Sequence, residues 1–284
     1  MSQLERAHKR QLKRATRTIA SFMNEQQFRP RGNVLLDRVV LALVSKAVKV
    51  SQAVTCLIDA GLPEEAFGLS RTLVEVALSL RFITNRYCER RARRFVRYVG
   101  KWKVQMMHRL ARLTVLDNAG RSQPKYTRKQ LQKKMPDYKL MLKWARAYPP
   151  SPAAHWSQTR YGKKGKKGRS SSARTLAEEA DGYEKVNGAR INWQFDYEWI
   201  YSWTSQFVHA TAASMNSHVA GPRETFVVQV APDRTQGVEM SAVFNTALYL
   251  LKILKMAFRA IGQPFPAKTS APLEKLLLQI CETN

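Results

Sequence analysis

Between Leu36 and Leu57 an apolar residue recurs every three or four positions: Leu36, Val40, Leu43, Ala47, Val50, Val54 and Leu57. That is the α-helical period, and it predicts one long apolar helix over residues 34–60. Such a stripe must be covered by other elements of similar kind, which narrows the chain to a packed helical architecture. Gly61 suits the residue just past the helix end, and Pro63 suits the first turn of the next helix. That helix, "EEAFGLSRTLVEVALSLRFITNR", opens with acids where the macrodipole favours them. Further helices are predicted over 2–24, 89–115, 127–147, from Ser172 onward, and over 192–217, 238–261 and 272–282. Only "ETFVVQV" has strand character, and it is expected to be extended without a sheet partner. The expected fold is all-α: a single antiparallel multi-helix bundle with a basic Gly/Lys loop insertion. A basic N-terminal helix or arm would occupy 1–30 and the helical domain 31–284, with a flexible basic insertion at 158–173.

Charge sets the class of partner. The 284 residues carry 48 Lys+Arg against 21 Asp+Glu, a formal net charge of +27, while 44% apolar content still allows a sizeable core. A balance that basic points to a polyanion as the partner, such as RNA, DNA or an anionic membrane surface, with nucleic acid, RNA or DNA, preferred; the alternative is a generally cationic surface. Cys56, Cys88 and Cys281 lie far apart, form no Cys-x-x-Cys pair and suggest neither zinc nor a disulfide framework. The basic N-terminus lacks the apolar core of a signal peptide, and no uncharged run approaches the roughly 18 residues of a membrane span. A soluble cytoplasmic protein without membrane attachment is expected; a protein partner or homo-oligomer is compatible with it. No Walker loop, Gly-x-Gly-x-x-Gly or His-Glu-x-x-His motif is present, so neither cofactor nor metal is expected.

The positive charge is clustered. One group lies on the N-terminal helix, from Arg6 to Arg17. Another includes Arg90, Arg93, Arg94, Arg97 and Lys101, and a third includes Lys133 and Lys134. The segment "HWSQTRYGKKGKKGRSSS" adds Lys163, Lys164, Lys166, Lys167 and Arg169 and reads as a loop. Helices near 90–112 and 127–146 are consecutive and are expected to pack as a hairpin whose outer faces merge into one basic patch. Such a patch would hold phosphates through counterion release. Trp102, Tyr126, Tyr138 and Trp144 are interleaved with it, either to stack on bases or to form the hairpin's core face.

A second constellation is "YSWTSQFVHAT", where Tyr201, Ser205 and His209 recur every four residues among Trp199, Trp203 and Phe207. On a helix these three form one polar stripe. Arg71 and Glu75, also four apart, can pair on an otherwise apolar helix and need further partners if buried. His209 is the expected third member, with Ser205 and Tyr201 on the same seam. The set is either a network that fixes helix packing or one wall of a site.

The segments "EAFGLSRTLVEVALSLRFI", "HWS", "LAEEADGYEKV" and "YEWIYSWTSQFVHAT", in that order, resemble a large bacterial family known as a domain of unknown function. The resemblance spans about residues 35–220. It implies an all-helical fold, marks Arg71, Glu75, Trp156, Tyr201, Ser205 and His209, and implies no activity. A looser similarity is to the HEPN superfamily of helical ribonucleases found in toxin and phage-defence systems. Their Arg-then-His motif is missing here, so only a pairing in space of Arg71 with His209 would substitute. Three functions are therefore carried forward. The first is a nucleic-acid-binding helical protein, as a component of a bacterial phage-defence or mobile-element system. The second is a metal-free HEPN-like endoribonuclease. In it His209 would serve as acid or base and Arg71 would stabilise the phosphorane, with Glu75 orienting one of them. The third is a non-enzymatic protein-interaction module.

Overall fold

The structure, a computed structural model, describes residues 3–26, 28, 33–112, 114–116, 121–127, 129–130, 133, 137–146, 173–186, 192–208, 219–220, 227–228 and 236–283. It is all-α apart from two very short ladders. The helices are α1 (Gln3–Glu25), α2 (Val34–Asp59), α3 (Pro63–Asn85), α4 (Cys88–Leu110), α5 (Tyr138–Ala145), α6 (Ala173–Val186), α7 (Trp193–Val208), α8 (Gln236–Ala260) and α9 (Ala267–Thr283). Two antiparallel pairs join β1 (Thr114–Leu116) to β2 (Ser122–Pro124) and β3 (Val219–Ala220) to β4 (Val227–Val228). The chain falls into two compact units, one of residues 1–86 and 176–284, the other of residues 87–175.

In the first unit α3 is the central helix and packs against α2, α7 and α8. It is buried on several sides, through Leu73, Val74, Ala77, Leu78, Leu80 and Ile83. Val40, Val44, Ala47 and Val54 of α2 and Leu250, Ile253, Leu254 and Ala257 of α8 complete this core. The junction between α2 and α3 forms for the expected reasons, at Gly61 and Pro63, while the start of α2 is fixed by a cap that the spacing did not indicate. The Asn33 side chain accepts the Leu36 N–H at 3.0 Å. Gly61 adopts φ 78°, and the Leu62 N–H reaches back to the Leu57 carbonyl at 2.9 Å, closing the helix. Pro63 then opens α3 with Glu64 and Glu65 in its first turn. α1 packs against α2 and α9, with Leu12, Ala15 and Ile19 fully buried. Phe22 and Phe28 each lie 6.0 Å from Phe258, which itself sits 4.9 Å from Phe265.

In the second unit α4 packs against α5, as the hairpin expectation required. Gly100 makes this approach possible. A Cβ there would lie 2.9 Å from the Trp144 Cβ and 3.0 Å from the Met141 carbonyl oxygen. Three expectations are corrected. The helix predicted over 89–115 ends at Leu110, and Thr114–Leu116 pairs as a strand instead. "ETFVVQV" does find a partner, since Val227 and Val228 pair with Ala220 and Val219. The last helix begins five residues before Pro272 and carries it as an internal proline. The segment expected to be a flexible basic insertion lies outside the described residues, except for Ala173.

Candidate functional site

The helices α3 and α7 bring three of the five seam residues together. The Arg71 Nε lies 3.2 Å from the Glu75 carboxylate, and the guanidinium sits 3.5 Å above the centre of the Tyr201 ring. Arg71 is 18% and Glu75 43% exposed, so this is the rim of the core rather than its centre. The ion pair alone is weak at that exposure, and the cation–π contact supplies the larger share of the attraction. Among the described residues no acid engages the terminal nitrogens of Arg71. Ser205 follows Tyr201 by one turn on α7. Its side chain, like His209 and Trp156, lies outside the described residues.

Tyr197 extends this seam. Its ring lies 4.6 Å from that of Tyr201, and it is 8% exposed. Burial pushes its hydroxyl pKa well above the ordinary range, with the hydrogen-bonded Tyr201 hydroxyl adding to the shift and Arg71 opposing it. A phenol held neutral this firmly can donate a hydrogen bond but cannot act as a base near pH 7. Its position one turn before Tyr201 is the sequence signal that would have found it. The aromatic neighbours divide. Phe195 and Trp199 stack at 6.2 Å on the outside of α7 and are 60% and 58% exposed, so they are not core residues.

A second polar cluster joins α7 to α8 and has no local sequence signature. The Lys252 ammonium pairs with the Asp196 carboxylate at 2.7 Å and lies 4.9 Å from the Tyr249 ring centre and 5.1 Å from that of Trp193. Burial, reinforced by the Asp196 carboxylate beside it, raises the Tyr249 pKa far above the ordinary range. The first turn of α7 is fixed from α6, where the Asp181 carboxylate accepts the Trp193 and Gln194 N–H groups. Together these contacts set where α7 presents Tyr197 and Tyr201 to α3.

The basic residues of the second unit separate by exposure. Arg90, Arg93 and Arg97 lie on the solvent face of α4, and Lys133 is exposed as well. Arg93 is held by Glu89 one turn earlier. Arg94 is half-buried. Lys101 is corrected: it is only 3% exposed, and burial lowers its pKa, so it does not belong to an outer phosphate-binding face. Trp102 is 56% exposed and free to stack, whereas Trp144 packs against Gly100 inside the hairpin. Lys134, Lys163, Lys164, Lys166, Lys167 and Arg169 lie outside the described residues. Among the described residues no group of three His, Cys, Asp or Glu side chains is placed to hold a metal ion.

Two helices, Val34–Asp59 and Gly237–Ala260, are long and apolar enough by composition to cross a membrane, with mean hydropathy 1.5 and 1.3. Their most apolar windows are 56% and 67% buried within the fold, as core helices are. No curated protein and no solved structure matches the chain. Residues 37–225, which include the seam on α3 and α7 and the whole basic hairpin, match the model of a family of unknown function, DUF5677. The match spans well over half of the 284 residues, and the chain therefore belongs to that family.

Proposed function

We propose that this is a nucleic-acid-binding helical protein that holds phosphates on the outer face of α4. The observation that carries the reading is the exposed row Arg90, Arg93 and Arg97 on one face of α4; Trp102, also exposed, lies farther along the helix and well round from that row. Guanidiniums take phosphates in a bidentate fashion, and an exposed indole offers a surface on which a base can stack. The net charge of +27 supports the same partner at long range. A cytoplasmic place, and a role in bacterial phage defence or on a mobile element, belong to this proposal. The test is retention of end-labelled RNA and DNA by the pure protein across a range of salt. Salt-sensitive retention is expected, and no retention of any nucleic acid at low salt would end the proposal.

A second reading has its own observation. The terminal nitrogens of Arg71 meet no acid among the described residues, although the guanidinium is held from one side by Glu75 and from one face by Tyr201. An arginine so oriented suits a phosphorane, and His209 follows Tyr201 by eight residues on the predicted stripe. In this reading the protein is a metal-free, HEPN-like endoribonuclease. RNA cleavage that persists in EDTA and disappears in His209→Ala supports it. Equal cleavage by both proteins, or none by either, leaves the seam a packing device.

A further inference from the structure

Outside both of these regions, the first unit contains an open cleft of about 610 Å³ lined by Arg6, Lys9, Arg10, Lys13 and Asp59. Four of the five come from α1 at positions i, i+3, i+4 and i+7, a single face of the helix running roughly 10 Å along its axis. The fifth is the last residue of α2.

The charges in this cleft are unevenly matched. Lys9 pairs with Glu239 of α8 at 3.0 Å, with side chains 11% and 4% exposed. Lys13 pairs with Asp59. Both lysines are thereby tied to neighbouring helices. Arg6 and Arg10 are exposed, one turn apart, and neither meets a carboxylate among the described residues. Like charges spaced four residues apart on a helix repel by a few tenths of a kcal/mol per pair, about 0.2–0.5. The row on α1 repeats that repulsion, and an anion between the guanidiniums would relieve it.

We infer that this cleft binds a small ligand carrying two or more phosphate groups, clasped by Arg6 and Arg10, while Lys9 and Lys13 hold the walls in place. The chemistry follows from the side chains. Two planar, permanently charged forks on one helix face suit phosphate oxygens. The inference is independent of the nucleic-acid face on α4, which contributes none of these residues.

The test uses the intact protein and inorganic tripolyphosphate at constant ionic strength, followed by thermal unfolding. A ligand that binds only the folded chain raises Tm with its concentration. The wild type is expected to show a saturable rise, and Lys46→Gln/Lys49→Gln, which removes two exposed charges of α2 that do not line the cleft, the same rise. Arg6→Gln/Arg10→Gln should need about tenfold more tripolyphosphate for an equal shift, as loss of charge-assisted contacts implies. Arg10→Gln alone should fall between and serves if the double variant folds poorly. An unchanged response in both cleft variants overturns the inference, because the effect would then belong to the overall charge. An equal loss in the Lys46→Gln/Lys49→Gln variant overturns it for the same reason. If tripolyphosphate has no effect but the cleft variants lose affinity for an oligonucleotide without terminal phosphates, the cleft is part of the nucleic-acid surface instead.

Discussion

Arg71 shows how one side chain can tie two helices together. Its charge is shared between a half-exposed Glu75 on its own helix and the ring of Tyr201 on α7. Arg71→Ala removes both contacts and should cost about 1–2 kcal/mol in urea unfolding, most of it from the ring contact. Glu75→Gln should change stability by no more than about 0.5 kcal/mol, because that carboxylate is largely solvated. If the two substitutions cost the same, the ring contact is not the dominant one. His8 makes a different point. It lies on the same face of α1 as Leu12, Ala15 and Ile19, is 2% exposed, and neither ring nitrogen has a hydrogen-bond partner among the described residues. Burial lowers its pKa below the ordinary 6.5, and nearby Glu5 opposes that shift. As pH falls through about 6.5 the unfolded chain takes up the proton first, so the folded state loses stability on the acid side. His8→Leu should be neutral or stabilising at pH 7.5 and should make the decline between pH 7 and 5 shallower. Parallel pH–Tm curves for the two proteins would contradict this.

At the scale of elements, what was legible in the sequence was what local spacing controls. The end of α2 and the start of α3 were readable because Gly61 and Pro63 act through their own backbone geometry. The Arg71–Glu75 pair was readable because it spans one helical turn. The end of α4 at Leu110 was not, since residues 111–115 continue a plausible helical composition and only pairing with β2 draws Thr114–Leu116 into a strand. The Asp196–Lys252 pair joins residues far apart in sequence, which no periodicity can register. Lys101 was misplaced because a run of basic residues hides which one the helix turns inward. Residue Gly100 was passed over, yet it sets the approach of α4 to α5. Gly100→Ala gains helix propensity but places a methyl group against the Met141 carbonyl and the Trp144 Cβ, neither of which can rotate away. The second unit should lose about 1–3 kcal/mol, seen as faster proteolysis between α4 and α5. A more stable variant would mean that the two helices can separate freely.

Across the whole molecule, the core of the first unit is built from helices whose pattern could be read directly, and among the described residues two sets of exposed arginines lie outside that core. Arg90, Arg93 and Arg97 are exposed on α4, while Arg6 and Arg10 face a cleft on α1. This separation allows the two sets to be removed independently without unfolding the chain. The central claim is that α4 carries a nucleic-acid face. Its most direct test is the salt dependence of binding to a single-stranded oligonucleotide, measured by fluorescence anisotropy for the wild type and for Arg90→Gln/Arg97→Gln. Each phosphate contact contributes about 0.7 to the slope of log K against log salt for single strands. The account predicts a steep wild-type slope that becomes shallower by about one to two in the variant, with weaker binding at every salt concentration. Identical slopes and affinities for the two proteins would show that α4 does not meet the phosphates.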